Sequence, residues 1–126
     1  MKKTAVIPIN ATRPLAPYSP GIRVGNLLFV SGQIALDPNT GDYIPQPIEV
    51  ETEMVMNNVA ALLSAAGMDW NHVVKATIFM KDMNDYAAIN AIYGKYVGEI
   101  PPAREAVQVA QLPRDCKVEI SVIASI

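Results

Sequence analysis

The chain has 126 residues, of which 51% are hydrophobic and 17% charged, and its formal net charge is −2. This length lies in the range of single domains, so we expect residues 1–126 to form one globular unit around one core. The lysines and arginines are scattered along an acidic chain with a pI of about 5.3. This charge distribution argues against a nucleic-acid-binding protein.

Cysteine use and hydropathy bear on where the protein works. Cys116 is the only cysteine, so neither a disulfide within the chain nor a cysteine-based metal cluster is available. The apolar run near the N-terminus is interrupted by Pro8 and Asn10 and is too short for a signal peptide, and no run approaches a membrane span. We therefore expect a soluble cytoplasmic protein with no membrane partner and no metal site.

The first half of the chain predicts strands followed by a helix. A short strand is predicted over residues 4–9, and the proline-rich loop NATRPLAPYSPG follows it and restricts where Tyr18 can point. A strand is predicted over residues 27–31, and DPNTGDY after it predicts a turn or hairpin loop. From residue 49 to 66 the apolar side chains recur at helical spacing, and Gly67 suits the C-terminal cap.

The second half of the chain predicts a strand, a helix and two strands. The strand covers residues 72–80, and the helix covers residues 85–97 and is stopped by Gly98. The last two strands are predicted in residues 101–111 and 117–126, on either side of the sequence LPRD. This order of elements predicts an α+β or α/β fold in which both helices pack on one face of a mixed sheet.

The face of the sheet opposite the helices is left uncovered in this arrangement. One side of KVEISVIASI is continuously apolar, whereas the other side carries Glu119 and Ile123 among a lysine and serines. We expect the neighbouring strand to present Arg104 and Ala106 on the same uncovered face. A face that mixes apolar and charged groups in this way is typical of a subunit interface, so we predict a homo-oligomer.

Arg104 and Glu119 are the candidate functional pair. We expect the last two strands to be antiparallel neighbours, which would bring the two side chains close together. A guanidinium matches a carboxylate through a fork of hydrogen bonds, and a nearby carboxylate can accept a proton from water. The pair therefore suits hydrolysis of a small carboxylated substrate. The alternative is that Arg104 and Glu119 only form a salt bridge at an interface.

Several stretches of the sequence resemble the RidA (YjgF) family of enamine/imine deaminases. They are APYSPG around Tyr18, SGQIALDPNTG from Ser31, AAGMDWNHVVKATIFMKDMNDYAAINAIYG, and PAREAVQVAQLPRDCKVEISVIA. Together they cover nearly the whole chain, and the last is the most specific, because its P-A-R and K-V-E-I signatures occur in the right order and separation. The resemblance implies a chorismate-mutase-like fold and a homotrimer with its active sites in the clefts between subunits.

The resemblance also implies an activity, the hydrolysis of 2-iminobutanoate and 2-iminopropanoate to 2-oxo acids and ammonia without a cofactor. Pyridoxal-phosphate dehydratases release such imines. Arg104 would hold the substrate carboxylate, and Glu119 would orient and deprotonate the attacking water. The residues that would line the pocket are Tyr18, Ser31, Gly32, Asn90 and Ala106, with backbone groups near Gly32 and Ala106 fixing substrate and water.

One position departs from the pattern of the family. Many of its members have a cysteine two residues after the arginine, and this chain has Ala106 there. A thiol at this position is therefore not the nucleophile, whereas a contribution from the backbone carbonyl would be preserved. Cys116 lies beyond LPRD and does not replace it; we expect Cys116 to be an ordinary small strand residue.

Two other classes of function stay open at this point. A non-catalytic, regulatory trimer could use the same clefts to bind 2-oxo acids, since an arginine clamp binds without reacting, and Glu119 distinguishes this class from an enzyme. An RNA-cleaving translation inhibitor is a description also attached to the family. The acidic pI, the absence of a basic stripe and the single histidine argue against it.

Other polar and aromatic side chains are expected to have structural roles. His72 is the only histidine, and a metal site needs several ligands, so we expect an exposed polar residue. Tyr86, Tyr93 and Tyr96 recur at helical spacing, which favours packing in the core or at an interface. Ser31 has no histidine and acid arranged around it in the sequence, which argues against a serine nucleophile.

Overall fold

The computed structural model describes residues 1–9, 11 and 14–126. Within these residues the chain forms a six-stranded sheet and two α-helices, joined by short 3-10 turns. The strands are β1 (Thr4–Val6), β2 (Gly21–Val24), β3 (Leu27–Gln33), β4 (Val73–Met80), β5 (Ala103–Gln108) and β6 (Val118–Ser125), and the helices are α1 (Ile48–Ala65) and α2 (Tyr86–Tyr93). The predicted α+β class, with a mixed sheet and two helices, is confirmed.

The strand β2 was missed by the sequence analysis. Val24 of β2 pairs with Leu27 of β3, so the hairpin loop consists of Gly25 and Asn26 alone. Gly25 has a φ of 56°, and the first central residue of such a two-residue loop requires a positive φ. The Gly-Asn pair between GIRV and LLFV was therefore the signal for this hairpin.

The proline-rich loop joins β1 to β2. β1 ends at Val6, earlier than predicted and two residues before Pro8, which has no N–H for a sheet ladder. The loop was predicted over residues 10–21, of which Asn10, Thr12 and Arg13 lie outside the described residues. From residue 14 to residue 20 the chain forms neither helix nor strand, and Tyr18 is exposed within this segment.

The helix α1 agrees with its prediction to within one residue at each end. At its C-terminus the N–H of Met68 donates to the carbonyl of Leu63 at 2.8 Å, and the N–H of Gly67 donates to that of Ser64 at 2.9 Å. Gly67 has a φ of 73°, which glycine adopts at little cost, so the predicted cap is confirmed. No helix among the described residues is both long and apolar enough to cross a membrane.

The helix α2 is shorter than predicted and ends at Tyr93 rather than at Val97. Gly94 comes next, and glycine is a poor helix former. Beyond it the N–H groups of Lys95 and Tyr96 donate to carbonyls three residues earlier, so the chain continues as turns instead of α-helix. The stripe of apolar residues continued past the end of the helix because these turns still pack against the core.

The order of strands in the sheet is β1-β2-β3-β6-β4-β5. β6 lies between β3 and β4 and is antiparallel to both, whereas β5 is at the edge of the described sheet and pairs with β4 in parallel. The predicted antiparallel pairing of the last two strands is therefore wrong. β6 is apolar along one whole side, which suits a central strand, while β5 carries charged residues, which suit an edge. The 3-10 turn Pro113–Asp115 leads the chain away from β5 instead of closing a hairpin.

The core lies between the helices and one face of the sheet. Alternate residues of β6 are buried there, namely Val118, Ile120, Val122 and Ala124. The buried carboxylate of Glu51 in α1 fastens two neighbouring segments to this core. Its oxygens accept hydrogen bonds from the hydroxyl of Tyr43 and from the N–H of Lys117, both at 2.7 Å. These bonds fix the start of β6 and hence the position of Glu119, two residues along.

In the part of the chain that the structure describes, no helix covers the opposite face of the sheet. Leu27, Phe29 and Val107 point to this face and are between 39% and 41% exposed. Glu119 and Ile123 lie on the same face, as predicted, because their side chains alternate with the buried positions of β6. The oligomer predicted from this face stays a prediction.

Arg104 does not lie on the uncovered face. It pairs with Ala76 of β4, which is fully buried in the core, so Arg104 points to the helix side, and Ala106 with it. The prediction that Arg104 and Ala106 share a face with Glu119 is therefore wrong. Neither side of β5 is continuously apolar, so the alternation of its residues did not determine which side faces the helices.

Candidate functional site

Glu119 rests against the backbone of β3 on the uncovered face. A Cβ atom added to Gly32 would lie 2.7 Å from the carboxylate carbon of Glu119, so only glycine allows this close approach. The register of β3 against β6 shifts between Val30 and Gln33, which places Ser31 and Gly32 in a β-bulge. The Glu119 carboxylate thus packs directly against the backbone of this bulge.

Ser31 connects this bulge to the proline-rich loop. Its N–H donates to the carbonyl of Pro20 at 2.9 Å, and its hydroxyl donates to the carbonyl of Ser19 at 2.6 Å. Tyr18 comes directly before Ser19 and lines a surface cavity of about 290 Å³ together with the loop prolines. Ser31 therefore attaches the loop segment that follows Tyr18 to the bulge, and its engaged hydroxyl does not resemble an activated nucleophile.

The environment of Glu119 suits a group that accepts a proton. Burial raises the pKa of the Glu119 carboxyl above its ordinary value, and no neighbouring charge among the described residues contributes to the shift. The side chain is still partly exposed, so water can reach it. A carboxylate with a raised pKa and access to water can act as a general base.

Arg104 is held by α2 on the other side of the sheet. Its Nη1 donates to Oδ1 of Asn90 at 2.8 Å, and its Nη2 donates to the hydroxyl of Tyr86 at 3.1 Å. The guanidinium carbon lies 5.0 Å from the ring centroid of Tyr93 and 5.7 Å from that of Tyr86. The hydrogen bonds use only part of the donor set of an arginine, which leaves N–H groups for a carboxylate ligand.

The structure therefore places the predicted site residues in two groups. The Glu119 half-site contains Ser31, Gly32 and Glu119, with Tyr18 on the loop that Ser31 binds, and the Arg104 half-site contains Asn90, Arg104 and Ala106. β4 separates the strands that carry them, and the two charged side chains point to opposite faces of the sheet. The predicted proximity of Arg104 and Glu119 within the chain is wrong, and the ion pairs of the described residues include no bond between them.

Tyr86 is the residue of this region whose contact the sequence analysis missed. Tyr86, Asn90 and Tyr93 recur at intervals of four and three residues, so they share one face of α2. Tyr93 is buried in the core, as predicted, whereas Tyr86 is 38% exposed and reaches Arg104 with its hydroxyl. The helical spacing from Asn90 was the available signal, but the same spacing is also typical of core packing.

Within the described ranges, His72 and the other metal-binding residue types do not form a metal site. The Nδ1 of His72 accepts a hydrogen bond from the N–H of Asp69 at 3.0 Å, so this half-buried side chain caps a 3-10 turn. Among the described residues no three histidines, cysteines or acids come together in a way that could hold a metal ion. Cys116 is fully buried, and burial, with the nearby Glu51 carboxylate, raises the pKa of its thiol to about 11.

Gly32→Ala is expected to impair activity more than folding. The new methyl group would collide with the end of the Glu119 side chain, which can rotate away, so the free energy of unfolding should change by less than about 1 kcal/mol. The displaced carboxylate would no longer hold water correctly, and turnover should fall about tenfold or more. Chemical denaturation and steady-state kinetics on the same preparation check both parts. Wild-type turnover in Gly32→Ala would show that the Glu119 position does not matter.

Comparison with known proteins places the chain among similar sequences over nearly its whole length. The profile of the family described as Endoribonuclease L-PSP matches residues 8–126. A RutC family protein of Pyrococcus horikoshii is 46% identical over 122 residues, which cover 97% of each chain. The 2-iminobutanoate/2-iminopropanoate deaminase of Mus musculus is 42% identical over 114 residues, or 90% of this chain and 84% of the relative. YyfA from Yersinia pestis, a member of the conserved Rid protein family, is 40% identical in sequence to this chain. Its crystal structure superposes with a TM-score of 0.93 over 99% of this chain and 100% of YyfA.

Proposed function

Since this chain belongs to the Endoribonuclease L-PSP family, which takes in the RutC and Rid proteins, we propose that it hydrolyses small 2-imino acids. The resemblance to the RidA family drawn from the sequence is confirmed by these matches. The proposed substrates are 2-iminobutanoate and 2-iminopropanoate, which the mouse relative carries in its name. The products would be the corresponding 2-oxo acids and ammonia.

In the proposed reaction Arg104 binds the substrate carboxylate and Glu119 handles protons. Glu119 takes a proton from water as the water oxygen bonds to the electrophilic carbon of the protonated imine. The proton then passes from Glu119 to the nitrogen, and the C–N bond breaks as the carbonyl forms. The proton of the new hydroxyl leaves with ammonia as ammonium. The raised pKa of Glu119 supports this role, because such a carboxyl both accepts and returns a proton readily.

The observation that carries the proposal is the separation of Arg104 and Glu119 on opposite faces of one sheet. Within one chain, the proposed carboxylate-binding residue, Arg104, therefore lies on one face of the sheet, and the proposed base, Glu119, lies on the other. We propose that the site is completed between copies of the chain, in the chorismate-mutase-like homotrimer that the family resemblance implies. Such a closed ring would join the Glu119 half-site of one copy to the Arg104 half-site of the next and would cover the apolar sheet face.

A coupled assay tests the proposed activity directly. A pyridoxal-phosphate dehydratase generates the imine, and formation of the 2-oxo acid is followed with and without the protein. We expect the protein to accelerate this step and Glu119→Gln to remove most of the acceleration. Binding of 2-oxobutanoate without any acceleration would instead favour the non-catalytic binding trimer. A steep salt dependence of RNA binding would favour the RNA-directed function, which the net charge of −2 argues against.

A further inference from the structure

The hydroxyl of Tyr86 contacts Arg104 but has no role in the reaction proposed above. Tyr86 lies at the start of α2, and its hydroxyl accepts a hydrogen bond from Nη2 of Arg104 at 3.1 Å. Asn90 accepts from the other terminal nitrogen, Nη1, at 2.8 Å. The guanidinium is therefore anchored at both terminal nitrogens by residues one helical turn apart.

The aromatic contacts of Arg104 restrain a different motion. Tyr93 lies 5.0 Å from the guanidinium carbon, and its ring limits tilting of the guanidinium. A ring contact does not select the direction in which the N–H groups point within the guanidinium plane. Hydrogen bonds at Nη1 and Nη2 do select it, because each fixes the direction of one N–H group. The Tyr86 hydroxyl thus supplies a restraint that neither Tyr93 nor Asn90 supplies alone.

We propose that Tyr86 is a positioning residue, whose hydroxyl sets the in-plane orientation of the Arg104 fork toward the substrate carboxylate. The inference rests on the proposed function, in which Arg104 is the carboxylate clamp. Bidentate binding depends on the orientation of the guanidinium, because its two N–H groups must point at the two carboxylate oxygens at the same time. Loss of the hydroxyl would leave the charge of Arg104 in place and allow the fork to rotate about its single remaining anchor.

Tyr86→Phe isolates this hydroxyl, because it keeps the ring and its contact with Arg104. The side chain is 38% exposed, so the thermal midpoint should be unchanged. We expect kcat/KM for the imine and the affinity for 2-oxobutanoate to fall about tenfold, in line with a hydrogen bond to a charged group. Tyr96→Phe is the matched control, because its hydroxyl bonds to Glu53, away from Arg104. It should bind 2-oxobutanoate as the wild type does.

A double-mutant cycle with Arg104→Lys distinguishes positioning from a merely structural role. If Tyr86 acts through Arg104, Tyr86→Phe should cost nothing further once Arg104 is lysine. The inference would be overturned if the two losses of kcat/KM multiplied in the double variant. A loss of kcat/KM below about threefold in Tyr86→Phe alone would also overturn it. Failure of the proposed function would look different: Arg104→Lys itself would then leave kcat/KM unchanged.

Discussion

Glu119→Gln is expected to lower the turnover of the imine about 100-fold or more, because removal of a general base costs about that factor. Glutamine keeps the shape of the side chain beside Gly32 but cannot accept the proton of the attacking water. Binding of 2-oxobutanoate, which involves no proton transfer, should change by only a few-fold. Single-turnover kinetics and calorimetry on the same preparation separate the two quantities. Unchanged turnover in an intact oligomer would leave Glu119 a purely structural role.

The raised pKa of Glu119 adds a pH dependence to this prediction. Turnover by the wild type should fall as the pH drops through the raised pKa, because the base becomes protonated. The contribution of Glu119 to the free energy of unfolding should change in the opposite direction and should increase as the pH falls. A carboxyl whose pKa is raised by folding contributes stability below its unfolded pKa, and that contribution is lost as the pH rises through the folded pKa. Glu119→Gln should therefore lose less stability than the wild type over this pH interval, as urea titrations can measure.

Arg104→Lys is expected to lower kcat/KM about 100-fold, although the charge is kept. Lysine cannot form the planar fork that Asn90 and Tyr86 hold at the two terminal nitrogens, so a bound carboxylate would be misoriented. Arg114→Lys provides the matched control, because Arg114 is an exposed arginine that donates to the carbonyl of Gly41 instead. Equal kcat/KM for wild type and Arg104→Lys at low substrate would exclude the clamp.

The sequence predicted the elements of this fold more securely than their arrangement. The helical spacing in α1 and the glycine at 67 depend on neighbours in the sequence, and both predictions are confirmed. The partner of β5 depends on contacts far along the chain. LPRD is a plausible hairpin turn, but the fully apolar side of β6 makes it a better centre for the sheet than β5. Local pattern therefore gave an antiparallel pair that does not form.

The candidate site shows the same division between local and distant information. Resemblance named Tyr18, Ser31 and Gly32, and the structure places Ser31 and Gly32 in one bulge beside Glu119, with Tyr18 on the loop bound to Ser31. The resemblance did not reveal that Arg104 points to the face of the sheet opposite Glu119. β5 has no continuous apolar side, so its sequence did not show which side faces the helices. The contact of Tyr86 was hidden for a related reason, since an aromatic residue at helical spacing predicts packing whether or not it also touches a charged group.

Co-refolding of two inactive variants tests most directly whether the site is assembled between chains. Arg104→Ala and Glu119→Gln are unfolded together, mixed in equal amounts and refolded, and each variant is also refolded alone and mixed afterwards. If a site takes Arg104 from one copy and Glu119 from the next around a closed ring, random assembly gives both intact residues to about one quarter of all sites. We predict about that fraction of wild-type deaminase activity after co-refolding and none in the separately refolded mixture. Mixed oligomers that form but stay inactive would contradict a site shared between chains.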